Sequence, residues 1–243
     1  LRDFGYDYVE LPLAQMMALR QSQFSALAEY VQSTGIPCEA CNNFIPSSHP
    51  VTGDKVDKIQ IAEYFYEAIE RASELGAKSI VFGSSGAKNV PQGFSIEKAW
   101  DQIIETLVLA DEIIGKRDIR IAIEPLCRVE SNIVVNAHEG LRLAQEVNRP
   151  GVKLLIDYYH LEMEKEDNSI IEKAADYLQH IHLANPSGRT FPQAMDGGDY
   201  QKFITSLQQA GYDGRISIEA YTDNFSSSAP AALATVRDAC GRG

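Results

Sequence analysis

Four apolar runs in the second half of the chain end in side chains able to bind a metal. Glu124 closes "IAIE", Asp157 closes "LLID", His182 lies in "HIHLAN" and Glu219 closes "ISIE". Taken singly, a carboxylate in such a place reads as a helix cap or a salt-bridge partner, and the imidazole as a satisfied core histidine. Taken together they pose a charge problem. Each carboxylate follows apolar residues and is drawn out of water, where an ion needs a partner or a metal. Three carboxylates gathered at one point repel one another, and a divalent cation relieves the repulsion. Three carboxylates with one imidazole make a borderline-hard donor set, suited to Mn²⁺, Mg²⁺ or Co²⁺ more than to a thiolate-type Zn²⁺ site. Asp157 also begins a D-x-x-H with His160, so a cap and a ligand are both open readings of it.

The elements that must bring these residues together are legible as an alternation. "YDYVELP" (6–12), "IPCEACN" (36–42), "KSIVFGS" (78–84), "IRIAIEP" (119–125), "VKLLIDY" (152–158), "HIHLANP" (180–186) and "RISIEAY" (215–221) read as strands. Their near-continuous apolarity and β-branched content suit a parallel sheet buried on both faces. Between them lie amphipathic stretches such as 54–76, where Ile61, Phe65, Ala68, Ile69 and Ala72 recur at helical spacing and Gly76 marks the stop. Residues 201–211 end the same way.

Seven β-then-α units without a linker imply an open doubly wound sheet or a (β/α)8 barrel. The 243 residues suit one such domain, spanning 1–243. In either fold ligands gather beyond the C-terminal ends of the strands, which is where the four residues stand. The opening "LRDFG" resembles the tail of a helix. The expectation is therefore a (β/α)8 barrel whose first strand lies outside the recorded chain.

Other features narrow the function. A net charge of -12 argues against a nucleic-acid surface, which needs clustered Lys and Arg. No stretch has the length and apolarity of a membrane span and no signal segment opens the chain, so a cytoplasmic setting is expected. No glycine-rich dinucleotide or P-loop motif is present. The Gly- and Ser-rich "FGSSGAKNVPQG" (82–93) reads as a βα loop, with Lys88 keeping an anion contact open. Cys38 and Cys41 form a C-x-x-C on a strand instead of at a helix start, and read as buried structural cysteines. Glu162, Glu164 and Glu166 read as a solvated run, and Trp100 as helix packing. Glu10 closes an apolar run and can reach the pocket, but stays outside the metal set. His180 shares its strand face with His182; His182 is preferred because it lies nearer the strand's end.

On these residues the chain resembles the xylose isomerase-like TIM-barrel superfamily, the sugar phosphate isomerase and epimerase group. Within it the pattern is most similar to the ketose 3-epimerases of the tagatose and psicose type, from about Tyr6 onward and most densely from "IAIEPLCRVESN". The resemblance implies a metal site of Glu124, Asp157, His182 and Glu219 holding one divalent cation, Mn²⁺ first, with Co²⁺, Mg²⁺ and Zn²⁺ as alternatives. It implies substrate contacts from Glu130, six residues after Glu124, from His160, and from Arg189. Arg189 lies seven residues beyond His182 where the epimerases have six, and "LCRVES" departs from their wording. The implied chemistry is C3 epimerisation of a keto sugar through a metal-stabilised enediolate, with Glu124 and Glu219 as catalytic base and acid.

The rival readings are an aldose–ketose isomerase of the hydroxypyruvate type, a lyase of the inosose dehydratase type, and a sugar-binding barrel without catalysis. The endonuclease IV branch needs more His ligands than His49, His138, His160, His180 and His182 supply. The implied partners are a small sugar and further copies of the chain, as a dimer or tetramer.

Overall fold

The computed structural model describes residues 1–241. The apolar runs become seven strands: β1 (Val9–Pro12), β2 (Cys38–Asn42), β3 (Ser79–Phe82), β4 (Arg120–Ile123), β5 (Val152–Asp157), β6 (Leu178–Leu183) and β7 (Arg215–Ile218). Each pairs in parallel with the next in chain order. This is the (β/α)8 barrel arrangement with seven strands. Among the described residues no ladder joins β7 back to β1. Side chains span that opening instead. The Tyr8 and Ser217 hydroxyls lie 2.7 Å apart, and Glu10 takes hydrogen bonds from Ser217 and, at 2.8 Å, from His180.

Helices cover the outside because their apolar stripes must be buried against the sheet. The helix Lys58–Leu75 buries Ile61, Phe65, Ala68, Ile69 and Ala72, the residues its spacing selects. Asp57 caps it by accepting from the backbone N–H groups of Ile59 and Gln60, and Gly76 ends it at φ 90°, a conformation glycine adopts without a Cβ penalty. Each large side chain buried in this way contributes about 1.5–3 kcal/mol before entropy is counted. Trp100 sits in the helix Ile96–Ile114 and donates to Glu146 at 2.6 Å, in keeping with packing. Cys38 and Cys41 are buried, free thiols on β2. No helix among the described residues is long and apolar enough to cross a membrane.

Two details set the site. Glu124 and Asp157 each lie two residues beyond an inward apolar residue, Ala122 and Leu155, which cluster with Val81. By the two-residue period of a strand they face the same interior. The second detail is an irregularity. Leu154 pairs with Leu178 but Leu155 pairs with His180, so β6 carries one extra residue, Gln179. Beyond it, Asp157 and His182 are direct partners across the ladder.

Candidate metal centre and active site

The strand ends converge. Glu124, Asp157, His182 and Glu219 each offer a ligand atom within 4.8 Å of the others. Three of the four are buried, at 5% exposure or less. The His182 Nδ1 lies 3.1 Å from Glu124 Oε1 and 3.5 Å from Glu219 Oε2. Its other nitrogen, Nε2, lies 2.9 Å from Glu10 Oε1. A carboxylate only accepts, so Nε2 carries a hydrogen. A neutral ring would then turn its lone pair on Nδ1 toward carboxylate oxygens that also hold lone pairs. Something positive must stand between them, a proton or a metal ion.

The charges agree with that geometry. Burial works against a charged His182, but the Glu10 and Glu219 carboxylates outweigh it and push the imidazole well above its usual range. Burial raises the Asp157 carboxyl to about 7 against the pull of His182, with Glu124 and Glu219 adding to the rise. Burial also opposes ionisation of Glu219, yet His182 and then Arg189 hold it at about 2. The centre thus gathers more negative charge than its protein cations balance. A divalent ion fits such a donor set.

Asp157 caps a helix and still leaves one oxygen for the cluster. Its Oδ1 accepts from the Tyr159 backbone N–H at 2.9 Å, capping the helix Tyr158–Met163. Its Oδ2 faces the cluster, 3.4 Å from Arg189 and 3.7 Å from His160 Nε2. His160 is fixed from behind, because the Cys127 backbone N–H donates to its Nδ1 at 3.1 Å. The ring's hydrogen therefore sits on Nε2, a buried atom with no hydrogen-bond partner. Burial, with Arg189 next, lowers this imidazole to about 3, so it stays neutral at physiological pH. A neutral, unsatisfied N–H donor beside the cluster is suited to a substrate oxygen.

Arg189 spans the mouth. It is the guanidinium partner of Glu219 and reaches Glu130 Oε1 at 3.2 Å. Its φ of 52° is left-handed, a strained position for a side-chain-bearing residue. Glu130 is half-buried, and burial raises its carboxyl against the effect of Arg189. A cavity of about 420 Å³ opens above these groups, bordered by Asn43, Ser47, Tyr221 and the backbone of the Gly83–Gly86 loop. Gly83 is required there, since a Cβ would collide with the Glu124 carboxylate.

Some residues differ from their sequence reading. Glu10 lies beneath the cluster on His182 and His180, so the inward face carries more than the metal set. Lys88 contacts no open loop surface: it is fully buried and donates to the Glu124 carbonyl at 3.0 Å. Of the acidic run, only Glu162 is free-standing on the surface. Glu164 binds Arg128, and Glu166 accepts from the Ala137 backbone N–H at 2.9 Å, both holding the loop after β4. Asn42 has no sequence signal beyond its place at the end of β2, yet its Nδ2 donates to Glu219 Oε1 at 2.7 Å. Ser217 likewise carries no sequence signal; it lies two residues before Glu219, on β7.

The family model of the xylose isomerase-like TIM barrel matches residues 1–239. The chain belongs to that family. It is similar to a ketose 3-epimerase of Arthrobacter globiformis, 26% identical over 92% of this chain and 76% of the relative. A hydroxypyruvate isomerase of Escherichia coli (strain K12) is 26% identical over 63% of this chain and 58% of its own. Among solved structures, a D-psicose 3-epimerase in the presence of D-fructose superposes with a TM-score of 0.88, at 17% identity, over 98% of this chain and 91% of its own. The chain is accordingly an enzyme of the isomerase and epimerase kind.

Proposed function

We propose that the chain is a divalent-metal-dependent epimerase of a keto sugar, inverting C3, built as one barrel domain over residues 1–243. The observation that carries this reading is the pair Glu124 and Glu219. They come from β4 and β7, approach His182 Nδ1 at 3.1 and 3.5 Å, and border one cavity. Two carboxylates reaching a shared centre from different strands can serve the two faces of one carbon, one removing a proton and the other returning it.

A divalent ion held by Glu124, Asp157, His182 and Glu219, Mn²⁺ first among candidates, supplies Lewis acidity toward the negative charge that develops on the substrate oxygens. The chain's own groups do the rest. Asp157, pinned through Oδ1 to the helix behind it, presents Oδ2 in a fixed direction. His160 donates its Nε2–H to a substrate oxygen and, being neutral, adds no competing charge. Glu130 and Arg189, which border the cavity, bind the distal hydroxyls. The apolar floor of Val81, Ala122 and Leu155 keeps bulk water from below.

Metal content before and after chelation is the first test, and a protein that takes up no divalent ion under any condition refutes the metal dependence. Incubating a panel of ketoses and inososes in D₂O tests the reaction. Deuterium at C3 without loss of water is the expected result. Deuterium on an aldose product instead assigns an aldose–ketose isomerase, and a deoxy or unsaturated product assigns a lyase.

A further inference from the structure

The metal cluster is not the only place where metal-capable groups meet. Glu10, His180 and His182 also lie within ligand distance of one another, directly below it. The two groups differ in a way that separates their roles. In the upper cluster three carboxylates and one imidazole nitrogen converge on one point, with His182 Nδ1 3.1 Å from Glu124 Oε1 and 3.5 Å from Glu219 Oε2. In the lower one each short contact joins a donor to an acceptor. His182 Nε2 lies 2.9 Å from Glu10 Oε1, and His180 Nε2 lies 2.8 Å from Glu10 Oε2. The Ser217 hydroxyl donates to Glu10 Oε2, which leaves its oxygen to accept from Tyr8 at 2.7 Å. This arrangement is already satisfied by its own hydrogen bonds.

We propose that Glu10 is a positioning residue, which holds His182 so that Nδ1 and not Nε2 faces the upper cluster. The inference rests on the metal-dependent reading of that cluster. Turning the ring over would take Nε2–H from Glu10 Oε1 and leave a buried carboxylate oxygen without its donor, a costly state. Only the observed orientation satisfies Glu10 below and offers a lone pair above. His180 and Ser217 occupy the other oxygen of Glu10, which stops the carboxylate from rotating away. Strands β1, β6 and β7 each contribute to this support, so it is held by the barrel and not by one loop.

Titration calorimetry with Mn²⁺ on the wild type and on Glu10→Gln and Glu10→Leu tests the proposal, with far-UV circular dichroism confirming that each variant is folded. Gln keeps one acceptor and Leu keeps none. The expected order of dissociation constants is wild type, then Gln, then Leu, with a total rise of about 10–100-fold, the usual effect of losing a metal ligand's supporting partner. A role in packing alone would lower the unfolding midpoint and leave the Mn²⁺ affinity of the folded variants unchanged. Wild type and both variants binding Mn²⁺ within twofold of one another overturns the proposal while leaving the metal reading intact. If the wild type binds no divalent ion, the metal reading fails by itself. The Nε2–H signal of His182 in ¹⁵N-histidine-labelled protein then decides the proposal. Its presence in the wild type and loss in Glu10→Leu support it, and an unchanged signal overturns it. If either variant does not fold, Ser217→Ala replaces it in both measurements, with a smaller shift in the same direction expected and none overturning the proposal.

Discussion

The inside of this barrel has two unlike halves. On β3, β4 and β5 the interior holds Val81, Ala122 and Leu155, a small apolar cluster. On β1, β6 and β7 the interior holds Glu10, His180, His182 and Ser217, every one hydrogen-bonded to another member. The apolar half is non-directional: it needs volume, and a residue of the same size and character serves as well. The polar half is directional, because removing one member leaves the next one buried without a partner. The candidate site stands above both, next to a directional half and a dry one.

Substitutions can break this contrast at graded strengths. The largest effect is expected above the two halves. Glu124→Gln or Glu219→Gln should lower kcat about 10²–10⁴-fold, the range for losing a general acid or base, with the circular dichroism spectrum unchanged. Below it, Leu155→Ala should cost about 2–5 kcal/mol of stability in urea titrations by emptying a packed interior position. Its effect on kcat in the folded fraction should be small by comparison. Ser217→Ala deletes one oxygen only, and strips a partner from Glu10 and from Tyr8. It should cost about 1–3 kcal/mol. A neutral result there would show that the polar half tolerates exchange as the apolar half does.

Two further predictions sharpen the boundary between the halves. Gly83→Ala places a methyl against the Glu124 carboxylate. It should reduce activity at a stability cost of about 1–3 kcal/mol, the range for overpacking. The smallest effect is a pH dependence. Burial lowers the Lys88 ammonium to about 8, against about 10.4 in an unfolded chain. Below pH 8 the folded state bears the whole cost of the buried charge. Between about 8 and 10.4 the unfolded chain binds more protons than the folded one, so stability should rise with pH across that window. Lys88→Met should flatten the rise in urea midpoints measured at both ends of it.

The fold and the convergence of residues at the candidate site are readable from the sequence for one reason. Parallel strands buried on both faces are written as apolar runs, and a charged residue ending such a run stands out. Glu124, Asp157, His182 and Glu219 were found in that way, and the structure brings them together. Glu10 ends a run too, but a strand residue's height in the barrel depends on stagger between strands, which no local pattern encodes. Asn42 and Ser217 carry no charge and are of types common in loops and on surfaces, so nothing marked them before their partners were located. Glu164 and Glu166 failed the surface rule for a related reason. Each is engaged by a segment some thirty residues earlier, Arg128 or Ala137, across a distance that composition cannot report.

The irregularity in β6 bears on how this chain tolerates insertions and deletions. If the pairing of Leu154 with Leu178 ran on regularly, with Gln179 inside the ladder, Leu155 would face Gln179 and Asp157 would face Ile181. His180 and His182 would then turn outward to the helices, and an isoleucine would take the imidazole's place among the carboxylates. A side-chain replacement at Gln179 alters one contact, its hydrogen bond to Ser79. Deletion of the residue would set His180 directly after Leu178 and keep Leu155 opposite His180 and Asp157 opposite His182. Drawing it into the ladder instead changes the face of everything after it. Position 179 therefore behaves like a slack link: the frame of the strand survives its removal, and is lost only if the slack is taken up by the ladder.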